Sequence, residues 1–352
     1  MSRTAILQTA FIGDVALTGA LAQALKDRAP AEELHFVTTP QAAALAECFA
    51  AVDRVHVFDK RGEQRGIGGL RRFSAELRSL RFTTMVVPHR SVRSTLLARM
   101  SGAERTVGFD SAALSFMYHV RAAYRLHLHE VERNHSLFKV LYPSDINDPP
   151  SVKLNIPPQA QESVDNLLAE IGLRAADRLV AIAPGSVWAT KRWPRESFAE
   201  IIMRLSAVDV QPLLVGGPDD VELCAWLSAQ TGAQSLAGRT TLPEMLALLT
   251  RCRRMLTNDS APTHLANLAG CPAAVLFGPT IPEFGFAPRG QHDRILQAGP
   301  MACRPCSIHG PRRCPLGTHA CMHEISVQSV LQTLTDMRQA AHPQQPAPGK
   351  ST

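Results

Sequence analysis

Short apolar runs alternate along the chain with stretches in which apolar positions recur every three or four residues. Ala5 to Gln8 reads as a strand running to a glycine turn at Gly13, after which Val15, Leu17, Ala20, Leu21, Ala24 and Leu25 repeat at helical spacing. His35 to Thr39 predicts a second strand, Gln41 to Phe49 a helix and Val55 to Phe58 a third strand. A helix near Leu70 to Leu80, a buried strand from Thr83 to Pro88 and a helix from Ser91 to Met100 continue the series. Prolines between Pro143 and Pro158 interrupt all periodicity and predict a linker. The alternation then restarts. Strands are expected at Leu179–Ala183, Pro212–Val215, Met255–Thr257 and Ala273–Phe277, and helices at Glu196–Leu205, Leu242–Cys252 and Thr263–Ala269. Strands joined through helices pair in parallel, so the pattern predicts an α/β chain of two Rossmann-like domains facing a central cleft. The expected units are residues 1–158 and 159–341, followed by a disordered Pro/Gln/Gly/Ser tail at 342–352.

Length agrees with two domains, since 352 residues exceed what one hydrophobic core usually holds. An apolar content of 45% is enough to fill both, and no run of about 18 apolar residues suggests a spanning helix. The net charge of +6 favours anionic partners, while 5% aromatics argues against a base-stacking platform, so no nucleic-acid partner is expected. Met1 to Ala22 is superficially like a secretory signal, but Gly13-Asp14 breaks its apolar stretch, so a cytoplasmic protein with mostly reduced cysteines is expected.

Candidate chemistry gathers where predicted strands hand over to helices. Gly13 and Asp14 follow the first strand, placing a carboxylate on the cleft side near the positive end of a helix dipole; the plainer reading of Asp14 is a helix cap. Pro184-Gly185-Ser186 leads to Thr190, Lys191 and Arg192, whose hydroxyl and cations suit a phosphate cradle, or else form a solvated basic loop. It is not a P-loop, because its glycine spacing is different. Further on, Asp259, Ser260, Ala261 and His264 surround a helix start opening near Pro262, where Ser260 is expected to cap and free N–H groups can bind an anion. Thr280 ends the next strand.

These segments, with Pro88-His-Arg-Ser91 and Arg105-Thr-Val-Gly-Phe109, resemble the ADP-heptose:lipopolysaccharide heptosyltransferases of glycosyltransferase family 9, most nearly the heptosyltransferase II type. The resemblance runs from about Thr4 to Val330. It implies a GT-B architecture, metal-independent inverting transfer of heptose from ADP-heptose to the inner core of a lipid A-linked lipopolysaccharide precursor, and no cofactor. It also implies the role of each matched residue: Asp14 as the general base, Thr190 and Lys191 on the ADP phosphates, and Asp259, Ser260, Ala261 and His264 near the diphosphate or heptose. Ala261 stands where the family usually has glycine, and Asp219 falls near a nucleotide-side acidic position. A GT-B transferase using another nucleotide sugar, or a nucleotide-binding protein without catalysis, are the alternatives.

Eleven Lys/Arg against three Glu between Lys60 and Arg105 give a local excess of eight positive charges, suited to an anionic core acceptor. Arg90 and Arg93 lie just past a strand end and are the candidates to meet it. With a lipid acceptor, peripheral contact with the inner face of the inner membrane is expected. Cys303, Cys306, Cys314 and Cys321 suit a structural zinc site, reduced thiols or a redox disulfide. His127, His129 and His135 do not form a zinc-enzyme motif and read as loop or acceptor-side residues.

Overall fold

The computed structural model describes residues 2–173, 178–208 and 210–337. Residues 338–341 of the expected second unit and the expected tail at 342–352 lie outside the described residues. The first sheet is built from β1 (Arg3–Leu7), β2 (Glu33–Thr38), β3 (Arg54–Val57), β4 (Thr84–Val87), β5 (Arg105–Phe109) and β6 (Val120–Ala122). Its helices are α1 (Ile12–Arg28), α2 (Pro40–Glu47), α3 (Gly66–Ser79), α4 (Val92–Met100) and α5 (Glu130–Leu141). After an irregular stretch come α6 (Pro158–Glu170), β7 (Leu179–Ala183), α7 (Arg195–Ser206), β8 (Gln211–Leu214), α8 (Val221–Thr231) and β9 (Gln234–Ser235). The chain continues through α9 (Leu242–Leu249), β10 (Arg254–Asn258), α10 (Ala261–Ala269), β11 (Ala273–Phe277), β12 (Arg294–Gln297), α11 (Ala320–His323) and α12 (Val327–Asp336).

Both sheets are wholly parallel and share one topology. The first runs β3-β2-β1-β4-β5-β6, and the second, read in the same sense, β9-β8-β7-β10-β11-β12. In each, the strand order reverses beside the first strand, between β1 and β4 and between β7 and β10. Ligands of open parallel sheets bind outside the carboxyl ends of the strands at such a switch point. Central strands have helices on both faces, so β7, β10 and β11 are buried at every residue and appear as continuous runs rather than alternating ones. Among the described residues no helix is long and apolar enough to cross a membrane.

Most of the elements expected from periodicity are present with ends shifted by a residue or two; α3 begins earlier and α9 ends earlier. Among the elements that periodicity did not predict, which include α6, α8 and α12, the one that bears on the site is α5. Its inward face carries Glu130, Arg133, Asn134 and His135, all buried, among Leu137, Phe138 and Leu141. Because polar residues occupy inward positions, the apolar stripe is too thin to register as a helix. His135, read from the sequence as a loop or acceptor-side residue, is instead a core residue of α5, stacked on Phe138 with ring centroids 5.2 Å apart.

The lobes meet through helices. α1 packs on α2 and α5 of its own lobe and on α10 of the other, and α2 also reaches α9. A Cβ at Gly13 would lie 3.0 Å from Cδ2 of His264, so the missing side chain is what lets the amino ends of α1 and α10 approach.

Candidate active site

Asp14 is the third residue of α1, where its carboxylate accepts the Phe11 N–H at 3.1 Å. It therefore satisfies one free donor of the helix start from within the first turn, rather than from the capping position itself. The carboxylate also lines the cleft. Burial raises its pKa above the ordinary carboxylate value, partly offset by backbone N–H groups and by the charge of Arg90.

Opposite Asp14 stand the loops of the second lobe's switch point. Lys191 follows β7 and donates from Nζ to Oδ2 of Asp259, which follows β10, at 2.6 Å. The same oxygen accepts the Thr280 hydroxyl at 2.6 Å. All three residues are buried. Ser260 occupies the N-cap position of α10 but does not cap it; its hydroxyl donates to the Asn258 carbonyl at 3.2 Å. Pro262 has no N–H and the Thr263 N–H donates to the Ser260 carbonyl at 3.0 Å, so the donor that the first turn of α10 leaves open is the Ala261 N–H, on the side where α1 also begins. Two helix amino ends meeting across a gap favour negative charge between them. His264, in the first turn of α10, is held neutral: burial lowers its pKa to about 4. Its Nδ1 is buried without a hydrogen-bond partner.

Two adjoining cavities meet at Asp14. The smaller is bounded by Gly13 and Asp14 on one side and by Ser186, Lys191, Asp259, Ser260, Ala261, His264 and Thr280 on the other. The larger opens on the first lobe between His89, Arg90, Tyr124, Glu130 and Arg133. Phe11, Asp14, Ile281, Phe284, Phe286, Ile308 and His309 border both. Arg90 lies over the Tyr124 ring, 3.8 Å from its centroid.

Four residues singled out in the sequence do not line either cavity. The Thr190 hydroxyl donates to the Pro311 carbonyl at 2.6 Å, and Arg192 holds the Ser186 carbonyl at 2.9 Å, so both secure neighbouring loops. Asp219 is exposed. Its neighbour Asp220 points inward, accepts the Gly217 N–H at 3.0 Å and occupies the space that a Cβ on Gly185 would need. Arg93 is exposed and reaches the Lys60 carbonyl at 3.5 Å.

Several site residues carry no sequence signal of their own. Arg133 donates to Glu130 at 2.9 Å, to the Tyr124 hydroxyl at 3.1 Å and, across the lobes, to the Phe284 carbonyl at 2.9 Å. The Tyr124 hydroxyl donates in turn to Glu130 at 3.0 Å. Burial raises the pKa of Glu130; Arg133 opposes the shift and the charge of Asp14 adds to it. The cysteine-rich segment also contributes in an unexpected way. Cys306 N–H bonds to the Pro279 carbonyl at 2.9 Å, and the turn that follows carries Ile308 and His309 into the cleft, His309 stacking on Trp188. All eight cysteines are unbridged, and among the described residues no group of three His, Cys, Asp or Glu is placed to hold a metal ion.

Two sheets of identical order, with their switch points opposed across a cleft and a carboxylate, a Lys–Asp pair and free helix amino ends gathered there, make this a GT-B fold. A family model described as Glycosyltransferase family 9 (heptosyltransferase) matches residues 70–312, and the chain belongs to that family. It is 31% identical over 134 residues to lipopolysaccharide heptosyltransferase 2 of Salmonella typhimurium, a match covering 36% of this chain and 38% of that relative. The chain thus spans well under two thirds of that curated relative's length. The structure of E. coli ADP-heptose lps heptosyltransferase II superposes with a TM-score of 0.79 at 22% identity, covering 96% of this chain and 98% of that one. E. coli heptosyltransferase WaaC with ADP gives 0.74 at 19%, covering 95% and 99%. At these identities the two structures bear on the fold.

Proposed function

We propose that the protein transfers heptose from ADP-heptose to the inner core of a lipid A-linked lipopolysaccharide precursor, inverting configuration at the sugar carbon. The observation that carries this reading is the position of Asp14, on the shared border of the two cavities and facing Lys191, Asp259 and the start of α10. Family membership, the heptosyltransferase relatives and the ADP in the WaaC structure support the choice of donor.

In this reading the donor's diphosphate lies in the smaller cavity, held by the Ala261 N–H at the positive end of α10 and by Lys191, whose partner Asp259 is fixed in turn by the Thr280 hydroxyl. Ser260, Ala261 and His264 flank it; Gly13 and Ser186 line the same space, and Arg192 steadies the Ser186 loop. The acceptor sugar enters the larger cavity beside Arg90 and Tyr124. Asp14 takes the proton of its hydroxyl as that oxygen bonds to the heptose carbon from the face opposite the diphosphate. The carbon–oxygen bond to phosphate breaks, and its electrons leave with ADP; a single displacement inverts the centre. Charge develops on the leaving phosphate, where donors already aligned are most effective. No metal enters this scheme, because the Lys191 cation and the positive amino end of α10 supply the stabilisation. A carboxylate with a raised pKa is a stronger base than a solvated one, which suits this role.

Asp14→Asn tests the proposal. The variant is expected to retain binding of ADP-heptose while turnover onto truncated lipopolysaccharide, read as product mass, falls about 10²- to 10⁴-fold, the usual range for a lost general base. Transfer at the wild-type rate would remove Asp14 from that role. Product mass also tests the donor, since a different nucleotide sugar would add a different residue, and the anomeric configuration of the product tests inversion.

A further inference from the structure

The cations between Lys60 and Arg105 stand out in the first lobe, where Arg3, Lys26, Arg54, Arg133 and Lys153 each meet a carboxylate. Ten of the eleven Lys/Arg side chains between Lys60 and Arg105 are exposed. Among the described residues none of the ten forms an ion pair with a carboxylate, although Arg72 and Arg78 bond to backbone carbonyls. In the second lobe Arg195, Arg204, Arg239 and Arg251 are each matched to Glu or Asp, and Arg289 reaches across to Glu132 of the first lobe. Uncompensated positive charge on one face costs self-repulsion and attracts an anionic surface.

Arg81 and Arg105 lie at the amino ends of β4 and β5, whereas Arg61, Arg65, Arg71, Arg72, Arg90 and Arg93 lie toward the cleft-side rim, which exposed apolar side chains share. Ile67 opens α3 after β3 and is 73% exposed, and Phe116, in the connection between β5 and β6, is also 73% exposed. Val92 opens α4 after β4, and Leu114 precedes Phe116; both are exposed. These three connections form a continuous rim. Arg93 reaches the Lys60 carbonyl, and the Ala113 N–H bonds to the Arg90 carbonyl at 3.1 Å. Arg61, Arg65, Arg71 and Arg72 stand around Ile67 in sequence and in the first turns of α3. Exposed apolar tips within a basic field suit a partner that is negatively charged at its surface and hydrocarbon just beneath. A nucleic acid offers the charge without the hydrocarbon.

We propose that the rim formed by Ile67, Val92, Leu114 and Phe116, with Arg61, Arg65, Arg71, Arg72 and Arg93, docks on an anionic lipid bilayer. The inference builds on the lipid-linked acceptor of the proposed function. Arg90 belongs both to this rim and to the larger cavity, so docking there would bring the cavity mouth close to the headgroups, where a lipid-anchored sugar is within reach.

Co-sedimentation of the full chain with phosphatidylcholine vesicles, with and without phosphatidylglycerol, tests the surface. Binding is expected only to the anionic vesicles and is expected to fall at least tenfold at 0.5 M salt, as for other contacts made through surface charge. The double variant Ile67→Asp/Phe116→Asp should bind them at least tenfold more weakly, and Arg71→Glu/Arg72→Glu should do the same. Both should transfer to a deacylated, water-soluble acceptor within about twofold of the wild-type rate, as expected for changes confined to the exterior. Wild-type protein that ignores anionic vesicles, or Ile67→Asp/Phe116→Asp protein that binds them unchanged, would overturn the surface. So would equal retention on duplex DNA that is insensitive to the apolar changes. Vesicle binding with these sensitivities but no transfer from ADP-heptose would support the surface and reject the proposed reaction instead.

Discussion

Glu130 is buried and Asp14 half-buried at the edge of the cleft, and only Glu130 has a cation in direct contact. Arg133 and Tyr124 satisfy Glu130, whereas Asp14 accepts the Phe11 N–H and feels Arg90 at longer range. A carboxyl whose folded pKa lies above its unfolded value makes folding less favourable as pH rises from the unfolded pKa, about 3.9, through the folded one. Asp14→Asn should therefore raise the melting temperature at pH 7.5, and this gain should vanish below pH ~4, where both forms are neutral. A variant that lost turnover together with stability at neutral pH would contradict this account. Lys191 presents the opposite case. Removing it leaves Asp259 buried with only the Thr280 hydroxyl, so Lys191→Ala should cost about 3–5 kcal/mol in chemical denaturation. Lys191→Ala/Asp259→Asn should recover much of that loss without recovering turnover. Asp14 and Lys191 were both legible because each follows a strand in a polar, small-residue segment. Asp220 was not distinguished from Asp219, since adjacent acids differ only in which one the turn after Gly217 points inward.

At the scale of elements, the amino end of α5 joins the lobes. The Glu130 N–H bonds to the Gly285 carbonyl at 2.8 Å, His129 contacts the Ala287 carbonyl at 2.9 Å, and Arg133 reaches Phe284. Gly285 has φ +88°, and a Cβ there would lie 2.5 Å from the Leu128 carbonyl oxygen and 2.8 Å from Arg133. Gly285→Ala should therefore strain its own backbone and push the 281–287 loop off α5, a loop that borders both cavities. The expected result is a tenfold or greater loss in kcat/KM, the penalty typical of a site displaced by about an ångström. Small-angle scattering should show a more open molecule. Unchanged kinetics with an unchanged scattering profile would show that this junction does not set the cleft. Neither α5 nor the junction could be read from local periodicity, because the residues facing inward include a Glu and an Arg that also bond to Tyr124 and Phe284 outside the helix, and an Asn.

Across the whole molecule, acidification should act on several sites at once. Burial lowers the pKa of His56, His89, His129 and His264 to about 4 each. The unfolded chain, with imidazoles near 6.5, binds more protons than the folded one between those values, so stability should fall as pH drops from about 6.5 to about 4. A melting temperature that stays flat across this window would count against neutral buried imidazoles. His129 and His264 belong to the lobe contact and the cleft, so transfer should be lost no later than global structure as the pH falls. The sequence by itself determined the two parallel α/β units and the cleft-side polar segments, because hydrophobic periodicity and glycine turns are local properties of the chain. It also carried the basic excess of the first lobe, which is a count. What only the tertiary structure decided is which polar residues face one another. The identical strand orders, the approach of α1 to α10 through Gly13, the Arg133 junction and the turn bringing His309 into the cleft all join residues far apart in sequence. Such pairings depend on how the two lobes pack, and no spacing along the chain encodes them.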